Sequence, residues 1–204
     1  MSALRRSRRD RSRGQSLVEF SVLVPAFMLL LFGMLEFGFV FTHNLTLEYA
    51  TREGARTGAA LADGGGNAAV CATIDAQIIA AVERVLTSPG SPIDETQIQY
   101  IKIWKNDPAN PGVPLSAGTT STWGYGTSGA PTVDGFQLHY HETSSSSWTP
   151  CTRNNGASPD SIGISLSYNY NMVTPLSSIA RFFGGGASSG IIPMADRTIM
   201  ALNP

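Results

Sequence analysis

An α+β fold is predicted from the order of segments along this 204-residue chain. A long helical segment comes first, at about residues 16–62, and a second amphipathic helix follows at residues 68–87. Short segments rich in β-branched and aromatic residues come after them, separated by long Gly/Ser-rich loops. Helices followed by a run of strands favour a small, mostly antiparallel sheet that packs on the helical faces.

The first half of the long helix is predicted to cross a membrane. Residues 20–41 read FSVLVPAFMLLLFGMLEFGFVF, and Glu36 is the one ionisable side chain among them. At about 1.5 Å per residue such a helix is roughly 33 Å long, which exceeds a bilayer core of about 30 Å. A cleavable secretory signal is the alternative, but its apolar region is about 7–15 residues long and ends at a small-x-small site. This run is longer, and no such site follows its end.

The charge distribution predicts the orientation of this helix. Residues 1–14 carry six arginines and one aspartate, whereas the remainder of the chain is net acidic. A nucleic-acid binder would spread its basic residues over a folded face, so this class of partner is not expected. Arginines beside an apolar segment are retained in the cytoplasm, which predicts a single-pass protein with its N-terminus inside and the bilayer as a partner. The arginines are Arg5, Arg6, Arg8, Arg9, Arg11 and Arg13.

The outer half of the long helix, residues 42–62, is amphipathic and free of proline. Gly54 and Gly58 form a G-x-x-x-G pair, a spacing that lets two helices approach closely. The neighbour is either the sheet of the same chain or another subunit. Residues 63–66, DGGG, are expected to end the helix.

Residues 63–204 are predicted to form an extracytoplasmic α+β domain. In the second helix an apolar stripe is predicted, and Asp75 and Glu83 are expected to point away from it. The stripe consists of Val70, Ile74, Ile78, Val82 and Val85/Leu86. Strands are predicted at residues 97–105, 136–141, 161–171 and 194–202, a loop at 106–134, and a short helix at about 174–183.

The two cysteines, Cys71 and Cys151, both fall in the part predicted to lie outside the cytoplasm. An even count in an oxidising compartment favours a disulfide, which would stabilise the fold by roughly 4–5 kcal/mol. Two unrelated buried thiols are the alternative.

No set of serine, cysteine or carboxylate side chains has the pattern of a catalytic site, so neither enzymatic activity nor a cofactor is expected. His139 and His141 fall on one face of a predicted strand, as in a metal site, with Glu142 beside them. Because zinc takes about four ligands, this set is incomplete, and no metal is expected. We expect the two histidines to lie on the solvated face of that strand. For Glu36, near the outer end of the apolar run, a structural role and a functional role are equally expected.

The N-terminal motifs carry a family resemblance. An arginine-rich leader, GQSLVEF at residues 14–20, LEFG at 35–38 and ATREGART at 50–57 together resemble the TadE/TadG-like pseudopilins of Tad (Flp) type IV pili. The resemblance extends over residues 11–58 and more weakly over ISLSYNYNMVTP at 164–175. It implies a pilin-like fold and a location in the cytoplasmic (inner) membrane, and in the pilus after processing.

The resemblance also implies roles for individual residues. A prepilin peptidase would cut between Gly14 and Gln15, dividing the chain into a leader (1–14), a membrane helix with its extension (15–62) and an outer domain (63–204). Glu19 would become the fifth residue of the mature chain, followed by Phe20, and would dock on the new amine of a neighbouring subunit.

The partners implied are the prepilin peptidase, other Tad pilins and pseudopilins, and the Tad inner-membrane assembly platform. Major Flp pilins are very short, so a mature chain of about 190 residues implies a minor pilin active in assembly, initiation or tip decoration. Two alternatives remain: an unprocessed, membrane-anchored binding protein, and a tethered hydrolase or metalloenzyme that uses His139 and His141.

Overall fold

The computed structural model describes residues 7–176, 178 and 190–203, with side chains from residue 15 onward. Most of the short helix predicted at residues 174–183 and the side chains of the arginine leader lie outside these residues. The chain divides into two compact units. The first contains residues 1–40 and 171–191, and the second contains residues 41–170 and 192–204.

Helix α1 covers Ser7–Leu61 without interruption, with Pro25 inside it. Within the first unit its large apolar side chains are exposed; they include Leu17, Phe20, Val22, Leu23, Phe27, Leu30 and Met34. Ala62 leaves the helical conformation with a φ of 45°, and Gly64 to Gly66 follow with positive φ. The predicted stop signal at residues 63–66 therefore lies where the helix ends.

In the second unit, α1 buries one row of small and apolar side chains: Leu47, Ala50, Thr51, Ala55 and Ala59. Gly54 and Gly58 lie on this buried side. A Cβ built on Gly54 would lie 2.5 Å from Val82 Cγ2, and one built on Gly58 would lie 2.7 Å from Ile162 Cδ1. The G-x-x-x-G pair thus packs against a helix and a strand of its own chain.

The second predicted helix is two helices, α2 (Ala68–Cys71) and α3 (Ile74–Leu86). Asn67 caps α2 by accepting a hydrogen bond from Ala69 N–H, and the Thr73 hydroxyl donates to Val70 C=O at the break. Such local side-chain bonds to the backbone compete with helix continuation. The stripe predicted for this segment is buried in α3, where Ile74, Ile78, Val82 and Leu86 are at most 1% exposed. Its first member, Val70, lies in α2 and is 41% exposed, so the prediction was wrong for that residue.

Five strands form one sheet in the order β5-β2-β1-β6-β7, and a short hairpin, β3-β4, stands apart from it. The pairs β1·β2, β1·β6 and β2·β5 are antiparallel. The α+β class is therefore confirmed. The strands are β1 (Ile98–Lys105), β2 (Thr120–Tyr125), β3 (Thr132–Val133), β4 (Phe136–Gln137), β5 (Tyr140–Ser144), β6 (Ser161–Asn171) and β7 (Ile191–Ala201).

Two strand predictions differ from the structure. The segment predicted as a loop, 106–134, contains β2, and the single strand predicted at 136–141 is two strands interrupted at Leu138 and His139. The interruption follows from a long-range contact, because His139 N–H donates to both carboxylate oxygens of Glu83, at 3.2 and 3.1 Å.

Strand β6 supplies the centre of the core. Its alternate side chains Ile162, Ile164, Leu166, Tyr168 and Tyr170 are all at most 3% exposed. Gly163 lies opposite Trp104 of β1, and the indole ring occupies the space above the glycine. The ring N–H donates to Ser165 Oγ at 3.2 Å, so the buried polar group of Trp104 is satisfied.

A disulfide joins Cys71 of α2 to Cys151, which lies in a short 3-10 turn. Arg153, 4% exposed, pairs with Asp75 and lies 4.7 Å above the Trp148 ring. The long loop before β6 is therefore fixed to the helices by a covalent bond and a buried ion pair.

Candidate functional site

The candidate site is the N-terminal part of α1 and the carboxylates along it. The Gln15 side chain donates a hydrogen bond to Glu19 Oε1, 3.1 Å away and one helical turn on. Both residues are exposed, and Phe20 beside them is 68% exposed. An exposed carboxylate at the head of an apolar helix is accessible to a cationic group on another molecule.

Gly14 lies inside α1, not in an extended segment. Helical structure at Gly14 means that the helix must unwind locally before the Gly14–Gln15 bond can enter a peptidase. Glycine makes that step easier, because it is about 1 kcal/mol less favourable in a helix than alanine.

One helix among the described residues is long and apolar enough to cross a membrane, within Gln15–Gly66. Its most apolar window is not buried by the rest of the chain. Exposing such an apolar surface to water is unfavourable. The helix fits a membrane anchor.

Glu36 has a structural contact that the sequence does not reveal. Its side chain is 5% exposed, and its two carboxylate oxygens accept hydrogen bonds from Val173 N–H at 3.2 Å and Thr174 N–H at 2.9 Å. The carboxylate therefore satisfies the backbone that follows β6. Its partners are more than 130 residues away in sequence, so no local pattern indicates this contact.

His43 begins the outer part of the helix and is buried against aromatic rings. Its ring centroid is 4.7 Å from that of Tyr170, in an edge-to-face arrangement, and 5.8 Å from that of Tyr168. These contacts fix the start of the helix on β6 within the second unit.

The family described as TadE-like protein matches residues 14–56 of the chain. Residues 14–56 are therefore similar to TadE-like proteins, and we call them the TadE-like segment. The match begins at Gly14 and includes Glu19, Phe20, Glu36 and Gly54, while Gly58 lies just past its end. No curated protein and no solved structure matches the chain.

The TadE-like segment coincides with the exposed apolar helix and the start of its buried extension. Residues 57–204, which include the whole sheet and the disulfide, are outside the match. The family thus indicates a pilus-associated, structural role for the helix. It gives no site within the outer unit.

The two histidines that the sequence placed together have different surroundings. His141 Nδ1 lies 3.1 Å from Gly126 C=O, next to the turn after β2. His139 is turned toward two carboxylates, Glu83 of α3 and Glu95 of the 3-10 turn before β1. Glu83 was expected to point away from the apolar stripe, yet it is 0% exposed, because its oxygens bind the His139 backbone.

Proposed function

We propose that this protein is a minor pilin, or pseudopilin, of a Tad (Flp, type IVb-like) pilus. The observation that carries the proposal is the TadE-like match beginning at Gly14, on a helix whose apolar surface is exposed. A helix of this kind is suited to two successive environments, the bilayer before assembly and the packed helices of a fibre afterwards.

The membrane topology follows from charge. The leader arginines hold the N-terminus in the cytoplasm, and the disulfide-bonded outer unit lies beyond the cytoplasmic membrane. The structural disulfide supports this orientation, because such bonds persist in oxidising compartments.

Processing by a prepilin peptidase removes residues 1–14 and leaves a new α-amino group on Gln15. Glu19 of one subunit then binds this amine on a neighbour. The exposed hydrogen bond between the neutral Gln15 side chain and Glu19 is exchanged for a charge-assisted one, which is roughly twice as strong. In a low-dielectric environment the charge pair sets the register of the incoming subunit, although its net stabilisation is small.

The role of the protein is assembly, initiation or tip decoration of the pilus, through helix packing and without catalysis. Other Tad pilins and pseudopilins bind the apolar helix, and the inner-membrane assembly platform receives it. The outer unit is then displayed on the cell surface or at the tip of the fibre, where it takes part in adhesion.

The docking role is tested with Glu19→Ala in cells that form Tad pili. We expect membrane insertion and leader removal to be unchanged, because neither requires this carboxylate, and recovery of the protein in sheared pili to fall. Glu48→Ala is the matched control, since Glu48 is a carboxylate on the same helix that pairs with Arg52 beyond the apolar segment. Normal pili in the Glu19→Ala strain would refute docking by Glu19.

A further inference from the structure

Three ligand-type side chains meet in the outer unit, away from the TadE-like segment. They come from α3 (Glu83), the 3-10 turn Glu95–Gln97 (Glu95) and the link between β4 and β5 (His139). One donor atom from each lies within 4.8 Å of the other two. His139 Nδ1 is 2.7 Å from Glu83 Oε1 and 3.4 Å from Glu95 Oε2.

The cluster carries an excess of negative charge in a buried position. Two carboxylates face one imidazole, so even a protonated histidine leaves one negative charge uncompensated. Glu83 is 0% exposed, whereas the side chains of Glu95 and His139 are 17% and 39% exposed. Among the described residues, neither carboxylate forms an ion pair with lysine or arginine. Arg84, next to Glu83 in sequence, pairs with Asp134 instead.

Polar atoms at the cluster are buried without hydrogen-bond partners in the described part of the chain. They are His139 Nδ1, Glu95 Oε1 and the hydroxyl of Tyr140. The 2.7 Å contact between His139 Nδ1 and Glu83 Oε1 is close enough for an ion pair but does not have the geometry of a hydrogen bond. Native proteins rarely leave such groups unsatisfied, and a missing ion is one of the accepted explanations.

Tyr140 is an independent observation that points to a ligand. Its side chain is 0% exposed. Tyr140 follows His139 directly in the chain, and its hydroxyl has no hydrogen-bond partner among the described residues. A fully buried hydroxyl of this kind can still donate a hydrogen bond to a water or ligand.

We propose that Glu83, Glu95 and His139 bind one divalent transition-metal ion of the Zn²⁺ type. Imidazole nitrogen and carboxylate oxygen bind Zn²⁺ at about 2.0–2.2 Å, so two ligand atoms of a tetrahedral site lie about 3.4 Å apart. The separation of 3.4 Å between His139 Nδ1 and Glu95 Oε2 agrees with this geometry. The 2.7 Å between His139 Nδ1 and Glu83 Oε1 is shorter, so these two atoms must separate by about 0.7 Å when the ion binds. A water molecule takes the fourth position. This inference revises the sequence-based expectation of no metal.

The surroundings also provide access and orientation. A surface cavity of about 280 Å³ is lined by Ser91, Asp94, Glu95 and Tyr125, so an ion reaches Glu95 from solvent past a second carboxylate. The two hydrogen bonds from His139 N–H hold the Glu83 carboxylate in place. Such support of a ligating carboxylate is typical of metal sites.

The role of the proposed ion is to crosslink parts of the outer unit. It joins helix α3 and the turn before β1 to the segment before β5, which lies more than 40 residues later in the chain. This role is independent of pilus assembly by the N-terminal helix. The ion stabilises the outer unit by binding the folded state alone, and this stabilisation increases with metal concentration.

The test uses the full chain, purified in detergent with a tag that lacks histidine and treated with a chelator. Equilibrium dialysis against Zn²⁺ alone should give one bound ion per chain, and the melting temperature followed by tryptophan fluorescence should rise by several degrees. Ca²⁺ at the same concentration should cause no such shift, because an imidazole ligand disfavours hard cations.

Two variants locate the site, and a third is the control. His139→Gln and Glu95→Gln should each weaken Zn²⁺ binding at least about tenfold. Glu95 lies on a partly exposed turn, so its variant remains informative if the histidine variant does not fold. His141→Gln removes a histidine of the same strand region that lies outside the cluster, and it should bind like the parent chain.

The opposite outcomes are equally clear. Absence of stoichiometric Zn²⁺ from the folded parent chain would overturn the proposal, as would a larger shift with Ca²⁺ than with Zn²⁺. Equal binding by the parent chain and by Glu95→Gln would show that any ion is held elsewhere. Equal losses in His139→Gln and His141→Gln would show adventitious surface binding, which also overturns the assigned site.

Discussion

Substitution of Gly54 by alanine tests the close packing of α1 in the outer unit. The new Cβ would lie 2.5 Å from Val82 Cγ2, whereas ordinary contact begins at 3.4 Å. The two groups must therefore separate by roughly 0.9 Å, the difference between those distances. Val82 is 0% exposed and its side chain is stiff at χ1, so it cannot move aside without disturbing its neighbours.

The expected cost is the balance of two effects. Overpacking a filled core costs about 1–3 kcal/mol, while alanine is up to about 1 kcal/mol more favourable than glycine in a helix. We expect Gly54→Ala to lower the free energy of unfolding by about 1–2 kcal/mol. For a unit of this size the melting temperature then falls by about 3–8 °C.

The assay is thermal unfolding of the full chain in detergent, followed by the fluorescence of Trp104, Trp123 and Trp148, which all lie in the outer unit. Gly33→Ala is the matched control. It adds the same methyl group to the same helix at a position with nothing within 4 Å, so the melting temperature should stay the same or rise slightly.

A second-site change distinguishes close packing from other causes. Val82→Ala alone should cost about 1.5–3 kcal/mol, because it removes two buried carbon atoms and leaves a cavity. In the double variant the methyl group added at position 54 occupies part of that cavity, so the combined cost should fall below the sum by at least about 0.5 kcal/mol. A higher melting temperature for Gly54→Ala, or strict additivity with Val82→Ala, would refute the reasoning.

Three further predictions concern the disulfide, acid stability and Glu36. Replacing Cys71 and Cys151 by serine should lower the free energy of unfolding by about 4.5 kcal/mol. This value follows from the chain-entropy relation for a sequence separation of 80 residues. An unchanged melting curve would contradict it. The pKa of Asp160 is lowered because hydrogen bonds from Lys105 and its neighbours outweigh the opposing effect of burial. Ionised Asp160 therefore stabilises the folded state above the unfolded-state pKa of about 3.9. This stabilisation is lost as the pH falls through the lower folded-state pKa. Denaturant titrations should show Asp160→Asn to be less stable than the parent chain at about pH 6, with a gap that narrows below about pH 4. Glu36→Ala should accelerate hydrogen exchange at the amides of residues 173 and 174, which lose their acceptors, whereas unchanged rates would show that the carboxylate does not hold them.

Strong periodicity is where the sequence predicted structure well. In β6 the five alternating residues from Ile162 to Tyr170 are all buried, and the predicted bounds of 161–171 agree with the structure. A strand with one buried face shows this alternation in its sequence, because a shift of its register by one residue would expose all of its apolar side chains. The apolar helix was identifiable from length and composition for a similar reason.

Strand β2 was not predictable in this way. Its residues, TSTWGY, lie in a Gly/Ser/Thr-rich segment, and only Ser121 and Trp123 are buried. The strand forms because β1 and β5 supply hydrogen-bonding partners on its two sides, information that is absent from the local sequence.

The cluster at Glu83 was missed because it depends on tertiary contacts. Helical periodicity places Glu83 beside the apolar stripe of α3, but its burial follows from His139 N–H, 56 residues later in the chain. That hydrogen bond also divides β4 from β5, so one long-range contact accounts for two departures from the predictions. A carboxylate in the middle of an apolar helix was the one available signal.

The mass of the mature N-terminus tests the central claim most directly. The protein is purified from the membrane and pilus fractions of a cell with a Tad prepilin peptidase, and its N-terminal peptide is identified by mass spectrometry. A minor pilin should begin at Gln15 and lack all six arginines of the leader. A chain that retains Arg5 to Arg13 in both fractions would contradict the account and would favour a permanently anchored, unprocessed protein.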